Sequence, residues 1–330
     1  MLNIESKELE GYKFIDLFAG IGGFHLALNS FGADCVFASE WDKEAKATYS
    51  ENFGITVNGD ITQIDETLIP HHDIICGGFP CQAFSVSGKQ LGFEDTRGTL
   101  FFDIVRIAKY HKPKVLFLEN VRNLYRHDKG KTFDIILKTL DEIGYNVYYE
   151  ILNTSNYGLP QNRERVYIIA FRKDIDSKAF EFPRKLNEVV CIEDILEENS
   201  SGKIIERDDI HIYKNLDTQT NVFESVKTNK PIQIGIVNKG GQGERIYHSK
   251  GHAITLSAYG GGVGAKTGLY LIDGKIRKLS PRECARLQGF PDSYKINPKL
   301  TQAYKQFGNS VSVNVLQHII QNIVTILKNT

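Results

Sequence analysis

The sequence contains no apolar run near the ~18 residues that a membrane-crossing helix needs. Stretches such as residues 166–171 are short, so no membrane partner is expected. The N-terminal residues are charged and lack the apolar core of an export signal, from which a cytoplasmic location is expected. There is no CxxC pair and no His-rich ligand spacing. The five cysteines, Cys35, Cys76, Cys81, Cys191 and Cys284, are odd in number and scattered. That pattern argues for a reducing compartment, against a disulfide framework and against a metal site. Internal repeats and low-complexity linkers are also missing, as is the G-x-G-x-x-G fingerprint of dinucleotide enzymes.

Net charge is absent too, with 40 Lys and Arg against 40 Asp and Glu, but the balance is uneven along the chain. Residues 1–224 carry 25 basic and 36 acidic side chains, and residues 225–330 carry 15 and 4. A last third this basic suits a polyanion, although such a split also serves to solvate two faces. With 41% hydrophobic and 24% charged residues the chain is an ordinary globular sequence. Its 330 residues predict two domains of unequal size.

In the first half, strand and helix signals alternate. Residues 12–17, 35–39, 73–77 and 115–119 are short apolar runs, separated by helical patterns over 22–30, 41–52, 99–110 and 131–143. This order predicts a doubly wound α/β sheet with parallel strands at its centre. Residues 145–152 and 165–171 read as two strands joined without a helix, which predicts an antiparallel pair at one edge. After Pro183 the segment 187–220 is acidic and weakly periodic, and residues 232–271 are Gly-rich strands. The expected division is a first domain over 1–185, a small strand-rich domain over 186–278, and a segment 279–330 returning to the first. The helix over 311–328 is the expected point of return.

The first strand runs into Asp16-Leu17-Phe18-Ala19-Gly20-Ile21-Gly22-Gly23, where glycines permit a tight turn and close approach to a ligand. Glu40, about 20 residues on, suits a pair of ribose hydroxyls. Asp60, placed after an expected third strand, suits an adenine amino group, and Phe18 and Trp41 suit the faces of the ring. Each also has an ordinary reading, the aromatics as core and the carboxylates as helix caps. Carboxylates after two strands, with no basic phosphate ligand, favour a cationic sulfonium nucleoside over a pyrophosphate.

The run 73–77 leads into Pro80-Cys81-Gln82, which places a cysteine at the carboxyl end of a central strand. Cys35 and Cys76 lie inside strands and read as small core residues; Cys81 reads as reactive. The next strand ends in Glu119-Asn120-Val121. Arg163 and Arg165 open the return strand and are expected to share a face by its period of two.

These segments, with Gln161-Asn162-Arg163-Glu164-Arg165, Arg282-Glu283-Cys284-Ala285-Arg286, Gly289-Phe290-Pro291 and Gly308-Asn309-Ser310-Val311, resemble the successive motifs of the DNA (cytosine-5) methyltransferases. They occur in that family's order and span almost the whole chain. The resemblance implies an adenosylmethionine-dependent methyltransferase sheet with a Gly-rich target-recognition domain. It implies S-adenosylmethionine as cofactor, held by Phe18, Gly20, Gly22, Gly23, Glu40, Trp41, Asp60, Ile61, Pro80, Leu100, Asn309 and Ser310. Cys81 is then the nucleophile toward C6 of a flipped cytosine, with Glu119 acting at N3 and Arg165 and Arg163 at the base carbonyl. Double-stranded DNA is the implied partner. Gln82, Ser85, Ser87, Lys89, Gln242, Arg245, Thr255 and Tyr259 are its expected contacts, with Arg245 as guanine reader. Residues 235–268 also resemble the recognition region of one bacterial modification enzyme, which implies the inner cytosine of GCGC as target. A monomer and a cognate restriction endonuclease fit that role. A tRNA methyltransferase on the same fold and a catalytically silent DNA-binding regulator are the alternatives.

Overall fold

A computed structural model describes residues 6–80, 100–213 and 227–329. Its contacts divide the chain into two compact units, neither continuous in sequence. One comprises residues 3–152, 164–183 and 316–330; the other comprises 1–2, 153–163 and 184–315.

The first unit, here the six-stranded unit, is built on β1 (Lys13–Leu17), β2 (Asp34–Ser39), β3 (Ile74–Gly78), β4 (Val115–Val121), β5 (Tyr145–Asn153) and β7 (Glu164–Arg172). Their order across the sheet is β2-β1-β3-β4-β7-β5. The four strands from β2 to β4 are mutually parallel, and β7 inserts antiparallel to β4. Helices α1 (Gly23–Asn29), α2 (Lys43–Phe53), α3 (Leu100–His111) and α4 (Lys131–Glu142) connect them. The apolar runs of the sequence are the buried strands: Ile75, Leu116, Leu118, Val166 and Ile168 are almost wholly inaccessible. They pack with Phe101, Ile104 and Ile107 of α3 and with Phe133, Ile136 and Leu140 of α4 in one core. Asp42 caps α2 by accepting from the Glu44 and Ala45 N–H groups, and Gly54 ends it in the left-handed region.

The second unit, here the five-stranded unit, carries a five-stranded sheet ordered β13-β12-β10-β9-β8. These strands are β8 (Ile210–Ile212), β9 (Gln233–Val237), β10 (Arg245–His248), β12 (Leu269–Ile272) and β13 (Lys275–Arg277). Ile234, Val237, Ile246 and Leu269 form its core. Two further strands of two residues each, β6 (Gln161–Asn162) and β11 (Ala253–Ile254), pair in parallel. Helices α5 (Pro281–Leu287) and α6 (Leu300–Asn309) follow, and α7 (Val313–Leu327) runs from this unit into the first. Ser280 and Glu283 form a capping box on α5, and Glu283 also takes a bidentate, buried ion pair from Arg277.

Three expectations change. No third strand precedes Asp60; residues 55–59 contribute only an isolated bridge, Asn58 to Ser39, and the third strand is β3. Arg163 lies outside β7, so the strand period does not relate it to Arg165. The expectation that no stretch is apolar enough to cross a membrane also needs correcting. Residues 300–327, which include α6 and α7, contain an 18-residue window that qualifies by length and hydropathy. That window is 78% buried within the protein, as expected of a core helix.

Candidate active site

At the carboxyl end of the six-stranded sheet, Gly78 of β3 lies opposite Glu119 of β4, and Arg165 of β7 lies opposite Val121. Glu119 is two residues from Val121 and therefore shares its face, so Glu119 and Arg165 form a diagonal cross-strand pair. Arg165 Nε stands 3.1 Å from Glu119 Oε1, with both side chains largely buried. Arg165 also donates to the Glu164 carbonyl, and Arg122 holds the Glu164 carboxylate. Asn120 Nδ2 donates to the Phe79 carbonyl at 2.7 Å, which ties the turn after β3 to the end of β4. Pro80 is exposed at the end of that turn. Cys81, Gln82, Ser85, Ser87 and Lys89 lie outside the described residues. The chain thus enters the Cys81 segment three residues beyond the position facing Glu119.

The glycine turn is built from left-handed backbone. Phe18, Gly20 and Gly22 have φ values of 55°, 54° and 81°. A Cβ on Gly22 would stand 2.2 Å from the Phe53 ring, so only glycine fits there. Glu40 Oε2 accepts from the Gly20 N–H at 2.8 Å and Oε1 from the Asp42 N–H at 2.9 Å. This fixes the carboxylate beside the turn. Trp41 next to it is 83% exposed. Asp60 is exposed and caps a short helical turn through the Thr62 N–H, and Ile61 behind it is buried. Gly23 begins α1, and Leu100 begins α3 half-buried.

Beneath the turn lies a polar cluster that the sequence reading missed. Asp16 is wholly buried; the Tyr49 hydroxyl donates to it at 3.3 Å, and the Cys76 thiol lies 3.8 Å away. Burial pushes its carboxyl well above the ordinary range, against those hydrogen bonds. His25 Nδ1 meets the Tyr49 hydroxyl at 2.8 Å, and the imidazole stacks on Phe53 at 3.8 Å between centroids. Burial lowers the His25 pKa from 6.5 to about 4 and raises that of the Cys35 thiol to about 12. An aspartate ending an apolar strand was the available signal. Nothing in the local sequence pointed to His25 and Tyr49, which lie 24 residues apart.

In the five-stranded unit, Arg163 is buried. Its guanidinium donates to the carbonyls of Leu256, Gly308 and Ser310 at 3.4, 3.3 and 2.5 Å. Ser310 is buried and Asn309 exposed, at the end of α6. Gln242, Arg245, Thr255 and Tyr259 are all exposed. The loops carrying them pack backbone on backbone: Gly264 N–H donates to the Gly243 carbonyl at 2.6 Å, and a Cβ on Gly243 would stand 2.2 Å from the Gly261 carbonyl. Thr255 donates its hydroxyl proton to the Asn162 carbonyl at 2.6 Å.

An α/β methyltransferase sheet with a carboxylate–guanidinium pair at its carboxyl edge defines the class, and comparison with known proteins defines the family. The family described as C-5 cytosine-specific DNA methylase matches residues 12–325. The chain is 54% identical to the type II methyltransferase M.HhaI of Haemophilus parahaemolyticus, over 98% of this chain and 97% of that protein. It is 43% identical to the type II methyltransferase M.HpaII of Haemophilus parainfluenzae, over 97% and 91%. The fold is similar to that of S. pombe Dnmt2, with a TM-score of 0.67 and 21% identity over 97% of this chain and 99% of that one. The Entamoeba histolytica methyltransferase EhMeth is similar too, with a TM-score of 0.66 and 19% identity over 96% and 98%. This chain belongs to the C-5 cytosine-specific DNA methylases and is a DNA cytosine-C5 methyltransferase. Members of such a family draw their methyl group from S-adenosylmethionine.

Proposed function

We propose that this enzyme methylates the inner cytosine of GCGC in double-stranded DNA as the modification partner of a restriction endonuclease, acting as a cytoplasmic monomer. The target and role are carried over from the likeness to M.HhaI. The observation that carries the chemistry is the Glu119–Arg165 pair, one strand from the turn that delivers Cys81.

The glycine turn fits S-adenosylmethionine. Gly20 has open space where a side chain would begin, Glu40 is fixed with lone pairs to spare for ribose hydroxyls, and the Trp41 ring is exposed beside it. Phe18, Gly22, Gly23, Asp60, Ile61, Pro80 and Leu100 are the other proposed contacts in the six-stranded unit. Bound there, the cofactor supplies an electrophilic methyl group to C5.

The protein's own groups prepare that carbon. Cys81 adds as thiolate to C6, forming the Sγ–C6 bond and making C5 enamine-like. Glu119 hydrogen-bonds or protonates N3 and so disperses the charge that develops in the ring. Arg165 bonds the base carbonyl while holding Glu119 in register. Loss of the C5 proton and breakage of the Sγ–C6 bond restore aromaticity and return the thiolate. A duplex hides both carbons, so the base must leave the stack. Gln242, Arg245, Thr255 and Tyr259, with Gln82, Ser85, Ser87 and Lys89, are the proposed DNA contacts.

A duplex with 5-fluorocytosine at the target position tests this, because fluorine blocks the final elimination. The wild-type chain forms a covalent adduct with a GCGC duplex in the presence of cofactor, and Cys81→Ala forms none. An adduct with the Cys81 variant would remove Cys81 from the chemistry, and trapping by every duplex alike would remove the GCGC assignment.

A further inference from the structure

Residues 60–69 have no sheet ladder to hold them. Two helical turns of three residues each, Ile61–Gln63 and Glu66–Leu68, are all the regular structure there, and main-chain carbonyls in such a segment need side-chain donors. Arg106, on α3, supplies them. Its Nη1 donates to the Ile64 carbonyl at 3.0 Å and its Nη2 to the Ile61 carbonyl at 3.1 Å. The remaining terminal N–H groups meet carboxylates, Glu66 through Nη1 and Asp103 through Nη2, the latter at 3.1 Å. Four terminal N–H groups thus have four acceptors, two of them main-chain, on a side chain that is only 30% exposed. Further along α3, His111 Nε2 lies 2.8 Å from the Glu66 carbonyl. Ile61 is buried in the same core as Ile104 and Ile107 of that helix. Every residue in this arrangement belongs to the six-stranded unit.

Asp60 stands at the head of this segment. Its Oδ1 accepts from the Thr62 N–H at 3.0 Å, so its carboxylate is aimed by the turn Ile61–Gln63 that it caps. Arg106 grips that same turn at its first residue and just beyond its last. We propose that Arg106 is a positioning residue for the adenine end of the cofactor site, fixing the 61–66 backbone so that Asp60 presents its second carboxylate oxygen to the adenine amino group. A carboxylate on a loose turn gives up part of its binding strength to ordering the turn; one on a gripped turn does not. Arginine suits the post because its planar fork faces four acceptors at fixed angles, whereas a lysine ammonium keeps the charge and loses the fork. The inference rests on the proposed contact between Asp60 and adenine.

The test is calorimetric binding of two ligands, S-adenosylhomocysteine and its analogue lacking the adenine 6-amino group. Wild type, Arg106→Lys, Asp60→Ala and the double variant are compared, with urea midpoints to establish that each is folded. Asp60→Ala should weaken S-adenosylhomocysteine binding roughly 10- to 150-fold, the loss of one charged hydrogen bond. Arg106→Lys should weaken it about five- to tenfold while leaving affinity for the 6-deamino analogue within about twofold of wild type. The double variant should bind S-adenosylhomocysteine no more weakly than Asp60→Ala, because the two residues act through one contact. A general loosening of the fold would instead lower affinity for both ligands alike. Equal losses for the two ligands, unchanged affinity for S-adenosylhomocysteine, or additive losses in the double variant refute the clamp. Should Arg106→Lys fail to fold, Asp103→Ala, which frees one side of the guanidinium, decides by the same contrast between ligands. If Asp60→Ala leaves S-adenosylhomocysteine affinity unchanged, Asp60 does not meet adenine and the inference falls with that contact. That result is read from the Asp60 variant alone, with Arg106 intact.

Discussion

A carboxylate that receives two backbone N–H groups is already half committed, and the proposed role of Glu40 depends on the lone pairs that remain. The Gly20 and Asp42 amides orient both oxygens, leaving lone pairs free to accept ribose hydroxyls without further loss of side-chain freedom. Glu40→Gln should raise the dissociation constant of the cofactor product roughly 10- to 150-fold, for a charged hydrogen bond worth about 1.5–3 kcal/mol. Calorimetric titration checks this, and unchanged affinity in a folded variant would confine Glu40 to holding the turn. Histidines make a second residue-scale prediction. His72 is wholly buried, its Nδ1 bonded to the Pro70 carbonyl, and burial lowers its pKa from 6.5 to about 4. Below pH 6.5 the unfolded chain takes up a proton that the folded chain refuses, so this stability is lost as pH falls toward 4. The loss is at most about 3 kcal/mol. Urea midpoints of His72→Asn and wild type, compared from pH 7 to 4.5, should converge as the wild type loses its share. Parallel curves would mean that His72 does not titrate.

At the scale of elements, the glycine-rich loops of the five-stranded unit depend on contacts that only glycine allows. Gly243 has φ 82° and no room for a Cβ, whereas Gly241 would meet only a flexible Glu244 side chain, at 3.2 Å. Gly243→Ala should cost ~1–3 kcal/mol and blunt discrimination between cognate and altered duplexes, while binding of the cofactor product is unchanged. Gly241→Ala should do neither. Competition binding with both variants checks the contrast; equal behaviour would mean that the loops are not held by backbone packing. How far such elements were legible in the sequence depended on their length. Strands β3, β4 and β7 announced themselves as apolar runs because they are buried on both faces, and the turn holding Gly22 was legible as punctuation. The two-residue strands β6 and β11 are too short to carry any period, so the partners of Arg163 were invisible, and its side chain was read by the rule for a strand it does not join. The stretch before Asp60 looked like a strand because Ile55 and Val57 alternate, but its only pairing is one bridge to Ser39.

Over the whole molecule the charge division becomes an electrostatic prediction. The 15 basic and 4 acidic residues after position 224 suit phosphate contact, whose strength falls steeply with salt. Arg245, exposed at the start of β10, has the fork for a guanine edge. Arg245→Ala should cost about 1–3 kcal/mol on the cognate duplex and narrow its margin over duplexes altered at one guanine. Lys250→Ala should weaken all duplexes alike and flatten the salt dependence. Competition binding at two salt concentrations separates the two; an Arg245 variant that loses affinity equally everywhere is a phosphate contact. The discontinuity of the two units has a further consequence, for the order in which the protein is made. The six-stranded unit includes residues 316–330 and the five-stranded unit draws on 153–163, so neither is complete when its first half leaves the ribosome. At ~5–20 residues per second the sheet of the six-stranded unit waits roughly 8–30 seconds for its last helix. During that interval β5 and β7 can pair, but the chain's final apolar helix has yet to arrive. Until then the apolar surface that this helix covers stays open, and slower synthesis lengthens that exposure.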